Sequence, residues 1–74
     1  MPVFETITYS THAEWRMCKR GFSRHDVELV LRIGDGYMQD DGGWVYELGR
    51  VRVMIVDHDD AAHVVTVIRL RRST

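Results

Sequence analysis

The feature that most constrains the fold of this chain is a change in its hydrophobic period between residues 34 and 36. Upstream, the sequence THAEWRMCKRGFSRHDVELVLRIG carries two successive sets of helix-start and helix-stop signals. Downstream, apolar residues alternate with polar ones as they do in β-strands. At 74 residues the chain is one domain, residues 1–74. The pattern therefore predicts a single α+β domain with its helices first.

Capping signals define the two predicted helices. Thr11 and Glu14 have the spacing of a capping box, and Gly21 can adopt the left-handed conformation that ends a helix, so the first helix is predicted over residues 12–20. Ser23 and Asp26 repeat the capping spacing, and a glycine at position 34 ends the second helix. The predicted buried faces consist of Ala13 and Met17 in the first helix and Val27, Val30 and Leu31 in the second.

The rest of the sequence predicts an antiparallel meander. GYMQ and WVYEL flank the turn DDGG, Gly49 makes the next tight turn, and RVRVMIVD and HVVTVIRLR form the last two strands. VFETIT, residues 3–8, alternates loosely and predicts a short first strand. One face of the sheet packs on the helices and the other stays open to water or a ligand. Period-two counting places Val51, Val53 and Ile55 on the packed face, and Arg50, Arg52 and Arg69 on the open face.

Composition narrows the class of protein. The single cysteine, Cys18, rules out an internal disulfide and zinc sites built on paired cysteines. We expect a cytoplasmic protein, because the longest apolar run, residues 53–56, is far too short for a membrane span and no secretory signal is recognisable. Such a small core would gain stability from a homodimer or a tight partner.

Charge is segregated along the chain. The net charge of −1 gives no general indication of nucleic-acid binding. However, residues 16–24 and the tail RLRRST are basic, whereas acidic residues cluster in the two turns. One basic face is therefore compatible with the sequence.

Within the first helix, His12, Arg16 and Arg20 fall within about 80° of one another, along roughly 12 Å. Arginine suits phosphate, and a histidine at a helix N-terminus is favoured as a neutral base. Two other interpretations stay open: a solvated helix face, or arginines that fasten the helix to the sheet through Glu47 or Asp57.

Two further clusters carry weaker signals. DHDDAAH supplies carboxylates and imidazoles but lacks the spacing of a calcium loop, so we interpret it as a turn and expect no metal site; its candidate ligands are Asp57, His58, Asp59, Asp60 and His63. The hairpin aromatics either stack on bases or form cross-strand pairs or an interface patch; they are Tyr37, Trp44 and Tyr46.

The helical part resembles the domain-of-unknown-function family 4258. Its members carry the signature His-Ala-x-x-Arg-Met-x-x-Arg-Gly, then Ser-x-x-Asp-Val-x-x-Val-Leu-x-x-Gly. The matching residues are His12, Ala13, Arg16, Met17, Arg20 and Gly21, then Ser23, Asp26, Val27, Val30, Leu31 and Gly34. The ending VVTVI also resembles the last strand of the family, which places Thr66 at its threonine.

That family is grouped with ribonuclease toxins similar to RelE (the barnase/EndoU/colicin/RelE fold), so the resemblance implies two N-terminal helices on a curved, mainly antiparallel four-stranded sheet. It implies metal-independent RNA cleavage without a cofactor, an RNA substrate and a possible antitoxin partner. His12 would be the general acid/base, Arg16 and Arg20 would hold phosphate, and Thr66 would assist. The full set of phosphate-binding candidates is Arg16, Lys19, Arg20, Arg50, Arg52 and Arg69. A protein-binding or RNA-binding module without catalysis is the alternative.

Overall fold

The computed structural model describes residues 5–58 and 61–70. Along these residues lie β1 (Thr6–Tyr9), α1 (Thr11–Arg20), α2 (Arg24–Ile33), β2 (Asp35–Met38), β3 (Trp44–Leu48), β4 (Val51–His58) and β5 (Ala61–Arg69). The strands form one sheet in the order β1-β5-β4-β3-β2. The α+β class with two helices is confirmed, but the sheet has five strands and is mixed.

The first strand overlaps the predicted one at residues 6–8, and its partner strand had not been predicted. β1 begins at Thr6, and residues 3 and 4 of the predicted strand lie outside the described residues. It pairs with β5 in parallel, with Thr6 opposite Ala61 and Tyr9 opposite Val64. The strands from β2 to β5 form the expected antiparallel meander. A four-residue strand carries no signal for its partner, and this pairing needs two helices that cross from one sheet edge to the other.

The cap of α2 is confirmed and that of α1 is wrong by one residue. The Ser23 hydroxyl accepts from the Asp26 N–H (3.1 Å), and the Asp26 carboxylate accepts from the Ser23 N–H (2.9 Å). In α1 the cap is Ser10, whose hydroxyl accepts from the Ala13 N–H at 3.0 Å, so Thr11 and Glu14 form no capping box. The Ser10 hydroxyl also donates to the carbonyl of Val65 (3.1 Å), a tertiary contact that favours Ser10 over Thr11.

Both helices cover the same face of the sheet. Their predicted apolar residues all lie in one core, together with Phe22, Tyr46, Val53, Ile55, Ala62, Val64 and Val67. Val51, expected in the core, is half-buried at its margin. Among the described residues, no helix has the length and apolar character to cross a membrane.

A β-bulge in β5 changes which residues share a face. Met54 pairs with Thr66 but Ile55 pairs with Val64, so Val65 is the extra residue. Arg69 therefore lies opposite Val51 on the helix side, whereas Arg52 lies opposite Ile68 on the open face. The predicted common face of Arg50, Arg52 and Arg69 is wrong for two reasons: the inserted residue reverses the alternation that places Arg69, and Arg50 lies in the turn before β4, outside the alternation of the strand.

Candidate functional site

A groove of about 680 Å³ lies between the C-terminal half of α1 and the ends of β4 and β5. Its lining is dominated by cationic side chains, with apolar residues between them: Arg16, Arg20, Arg50, Val51, Ile68, Arg69 and Leu70. We call it the arginine groove, after Arg16, Arg20, Arg50 and Arg69. It brings together four of the six residues that the sequence proposed for phosphate binding.

Burial of the other side of α1 positions Arg16 and Arg20. Ala13 and Met17 are buried against the sheet and fix the rotation of the helix. Arg16 and Arg20 are one turn apart, at the margin of this buried stripe, and so lie along the seam between helix and sheet. The predicted spacing of the two arginines thus becomes one wall of the groove.

A turn and a backbone hydrogen bond bring Arg50 to the opposite wall. Gly49 adopts a φ of 61°, which glycine reaches without strain, and it reverses the chain between β3 and β4. The Arg50 carbonyl then accepts from the N–H of Leu70 at 2.6 Å. This bond ties the turn to the end of β5, where Arg69 lies.

Arg69 joins the end of α1 to the sheet. An Nη2 N–H of Arg69 donates to the carbonyl of Arg20 (3.2 Å), and its guanidinium lies 4.8 Å from the ring centroid of Phe22. A cation at a helix C-terminus is favourable because the last carbonyls carry partial negative charge. Only one of the five guanidinium donors is engaged in this bond, so the residue can serve the helix and the groove together.

No arginine of the groove forms an ion pair with a described carboxylate; the pKa of Asp26 is lowered mainly by its hydrogen bonds to Ser23 and, among smaller causes, by the charge of Arg69. Within residues 5–58 and 61–70 the single ion pair is Arg52–Glu47, and it lies on the open face. Nε of Arg16 is buried and has no hydrogen-bond partner among the described residues. A buried donor of this kind costs stability unless an acceptor from water or a ligand reaches it. The groove therefore has the electrostatics and the free donors of an anion site.

The structure contradicts fastening of α1 to the sheet through Glu47 or Asp57. Glu47 Oε2 accepts instead from Arg52 Nε (3.1 Å) and from the Tyr37 hydroxyl (2.8 Å). We call these three residues, on the open face, the paired cluster. Neither Arg16 nor Arg20 forms an ion pair with a described carboxylate.

His12 and Lys19 lie on the outer side of α1, outside the lining of the groove. The His12 ring stacks on Trp15 at 6.4 Å between centroids and 24° between planes, and Lys19 Nζ lies 5.3 Å from the Trp15 centroid. His12 is one helical turn before Arg16, so it lies next to the groove along the helix. We call His12, Trp15 and Lys19 the tryptophan strip.

Thr66 and Arg52 are on the far side of the sheet from the arginine groove. Thr66 is half-buried and opposite Met54, on the face that also carries Arg52. The structure thus brings Arg16, Arg20 and Arg69 together and leaves Thr66 apart from them.

The other sequence candidates occupy structural positions. Tyr46 is buried in the core, Trp44 packs beside it at 6.1 Å between ring centroids, and Tyr37 belongs to the paired cluster. Asp59 and Asp60 lie outside the described residues, and within the described part no three possible metal ligands come together. His63 Nδ1 shares a 2.8 Å hydrogen bond with the Thr8 hydroxyl across β1 and β5.

The sequence interpretation gave no role to Trp15, which is 57% exposed. The signal was present: His12 precedes it by three residues and Lys19 follows it by four, the spacings at which helical side chains meet. A large aromatic ring on the outer side of a helix, between two basic residues, indicates a contact surface rather than core.

Fold and site together define a class: a small α+β domain with a cationic groove between its first helix and its last described strand. The model of a family described as a domain of unknown function (DUF4258) matches residues 9–69, and the chain belongs to this family. The match includes every lining residue of the groove except Leu70. The curated proteins include no match to this chain.

Proposed function

We propose that this chain is a RelE-like endoribonuclease domain that binds RNA phosphates in the arginine groove and cleaves RNA without a metal ion. One observation carries the proposal: four arginines, none in an ion pair with a described carboxylate, line one groove, and the buried Nε of Arg16 has no acceptor among the described residues. A planar guanidinium binds two phosphate oxygens side by side, so this lining suits an RNA backbone better than a neutral ligand.

The expected chemistry is attack of a ribose 2′-hydroxyl on the adjacent phosphate: the new P–O2′ bond forms a 2′,3′-cyclic phosphate as the P–O5′ bond breaks, the 2′-hydroxyl proton passes to His12, and the departing 5′-oxygen takes up a proton to leave as a hydroxyl. Negative charge grows on the phosphate oxygens in the transition state, and Arg16 and Arg20 would stabilise it from the wall of the groove. Arg50 and Arg69 would hold the neighbouring phosphate, and Lys19 would add positive charge at the margin. Thr66, on the other face of the sheet, has no part in this mechanism.

His12 is the proposed general acid/base. It lies in the first turn of α1, one helical turn before Arg16, and a histidine can accept and donate a proton near neutral pH. Its ring rests on Trp15, so catalysis would require rotation of the side chain towards a phosphate bound at Arg16. Catalytic contacts often form only when the substrate is bound.

The test is incubation of the purified protein with RNA in EDTA. We expect cleavage by the wild type and none by His12→Ala, which should still bind RNA. His25→Ala is the matched control, because His25 is an exposed histidine on α2, and it should keep full activity. Intact RNA after incubation with wild type, or full activity of His12→Ala, would refute the mechanism.

The second candidate is an RNA-binding domain without cleavage. The position of the His12 ring on Trp15, outside the lining of the groove, favours it. It predicts RNA binding that weakens steeply with salt while the RNA stays intact.

A further inference from the structure

The tryptophan strip extends the arginine groove across the outer surface of α1. At 100° per residue, the side chains follow one another around the helix within an arc of about 140°, in the order Arg20, Arg16, His12, Lys19 and Trp15. The arc starts in the groove and ends at an exposed indole ring. About two fifths of the circumference of α1 thus presents cationic or aromatic groups continuously.

We propose that Trp15 is a stacking surface for an unpaired nucleobase, and that the ligand of the groove is single-stranded RNA. The inference rests on the proposed function, because it takes RNA phosphates as the ligands of Arg16 and Arg20. The proposal places the bases of a strand whose phosphates bind Arg16 and Arg20 on the outer side of α1, where the indole is exposed. Stacking on an aromatic ring next to a cationic track is the usual way in which proteins bind single strands.

The neighbours of Trp15 favour a base over a protein partner. Protein hot spots are aromatic residues surrounded by further contact surface that excludes water. Trp15 instead contacts His12 and Lys19, whose charges would attract the phosphates that flank a stacked base. The other exposed large apolar side chains of the described residues lie outside α1: Leu29 and Ile33 on α2, Tyr37 and Met38 on β2, and Val56 on β4.

The three hairpin aromatics are less suited to stack on a base of an RNA held in the groove. Tyr46 is 2% exposed, Trp44 packs against the core, and Tyr37, although 47% exposed, belongs to the paired cluster on the open face of the sheet. Stacking on a nucleobase, which the sequence suggested for the hairpin aromatics, is therefore assigned to Trp15 on the first helix. In a duplex the bases are already stacked on one another, so a contact through Trp15 discriminates against double-stranded RNA.

The test compares Trp15→Ala with wild type for binding to a single-stranded RNA oligonucleotide and to its duplex. The loss of one base–aromatic stack should weaken single-strand affinity about five- to hundred-fold and leave duplex affinity unchanged. Trp15→Phe should restore most of the affinity. Leu29→Ala, which removes an exposed apolar side chain from the other helix, is the matched control and should bind as wild type. A thermal melt by circular dichroism checks that each variant is folded.

Fluorescence supplies a second readout. The chain has two tryptophans, so in Trp44→Phe the emission reports Trp15 alone, and single-stranded RNA should quench it. Unchanged single-strand affinity of Trp15→Ala would overturn the inference. So would Trp15 emission that changes with protein concentration instead of with RNA, since it would identify an interface with a second copy.

The same measurements separate this inference from the proposed function. If Arg16→Gln weakens RNA binding and Trp15→Ala does not, the groove holds RNA and the stacking role is wrong. If wild type binds neither single-stranded nor duplex RNA, the proposed function fails and the stacking role fails with it.

Discussion

Arg52 and the arginine groove show the same residue type in two opposite environments, separated by the thickness of one sheet. Arg52 contacts Glu47 at 3.1 Å, and Tyr37 binds the same carboxylate oxygen. The groove gathers four arginines, none of which forms an ion pair with a described carboxylate. A pair as exposed as Arg52–Glu47, with side-chain exposures of 32% and 29%, contributes little stability, whereas clustered like charges reduce it. A cluster that lowers the stability of the free protein agrees with the proposal that the groove binds RNA phosphates.

The largest effect should come from the groove. Arg16→Gln combined with Arg20→Gln should weaken RNA binding about 10- to 100-fold and reduce the slope of log affinity against log salt by about two, since two phosphate contacts are lost. Thermal stability should stay unchanged or rise, because like charges are removed. Fluorescence anisotropy at several salt concentrations measures the slope; a slope equal to that of wild type would mean that these arginines do not contact phosphate.

The next-largest effect, a loss of stability, is expected for Ser10→Ala. This variant tests the contact between the first turn of α1 and β5. The variant loses the cap of α1 and the hydrogen bond to the Val65 carbonyl, so the free energy of unfolding should fall by about 1–2 kcal/mol. Thr11→Ala is the control and should cost clearly less in the same urea titration. Equal losses for the two variants would contradict the assignment of Ser10 as the cap.

The groove variants should lose RNA affinity and keep their stability. Arg52→Gln should do the opposite. RNA affinity should match wild type, because the side chain is on the other face of the sheet. The free energy of unfolding should fall by no more than about 1 kcal/mol, the usual value of a solvent-screened pair. A loss of RNA affinity without a loss of stability would place the binding surface on the open face.

The smallest expected effect is a change in the pKa of Tyr37, which belongs to the paired cluster. The hydrogen bond to Glu47, followed by desolvation and the Glu47 charge, raises the pKa of Tyr37 above 10.0. The neutral phenol is therefore favoured in the fold; its contribution to stability is complete below pH 10.0 and is lost as the pH rises through the higher folded value. Glu47→Gln should lower the pKa of Tyr37. An NMR titration that resolves the three tyrosines measures this, and an unchanged pKa would exclude Glu47 as the cause.

Several features that depend on residues close together in the sequence were predicted from it. The Ser23–Asp26 cap, the apolar stripes of both helices and the meander follow from spacing alone, and so does the Arg16–Arg20 wall. The parallel partner of β1 was not predictable, because a strand of four residues pairs through backbone atoms that all sequences share.

The site was only half predictable for a similar reason. The stripe on α1 is visible in the sequence, but its convergence with Arg69 depends on the bulge at Val65, and period-two counting cannot detect one extra residue. Arg50 reaches the groove through the hydrogen bond between its carbonyl and Leu70, a contact across 20 residues. Both arginines were candidates by charge, and tertiary structure decided their position.

Ser10 and Val65, which are joined by a hydrogen bond, are 55 residues apart in the sequence. This contact can therefore form only after β5 has been synthesised. Synthesis produces α1 early and β5 last among the described elements. Until β5 exists, Arg16 and Arg20 have no opposite wall, and β1 has no strand to pair with. Contacts this distant also form slowly during folding. A growing chain therefore carries its two signature arginines well before it carries a binding surface, and any activity of the groove begins only with the completed domain.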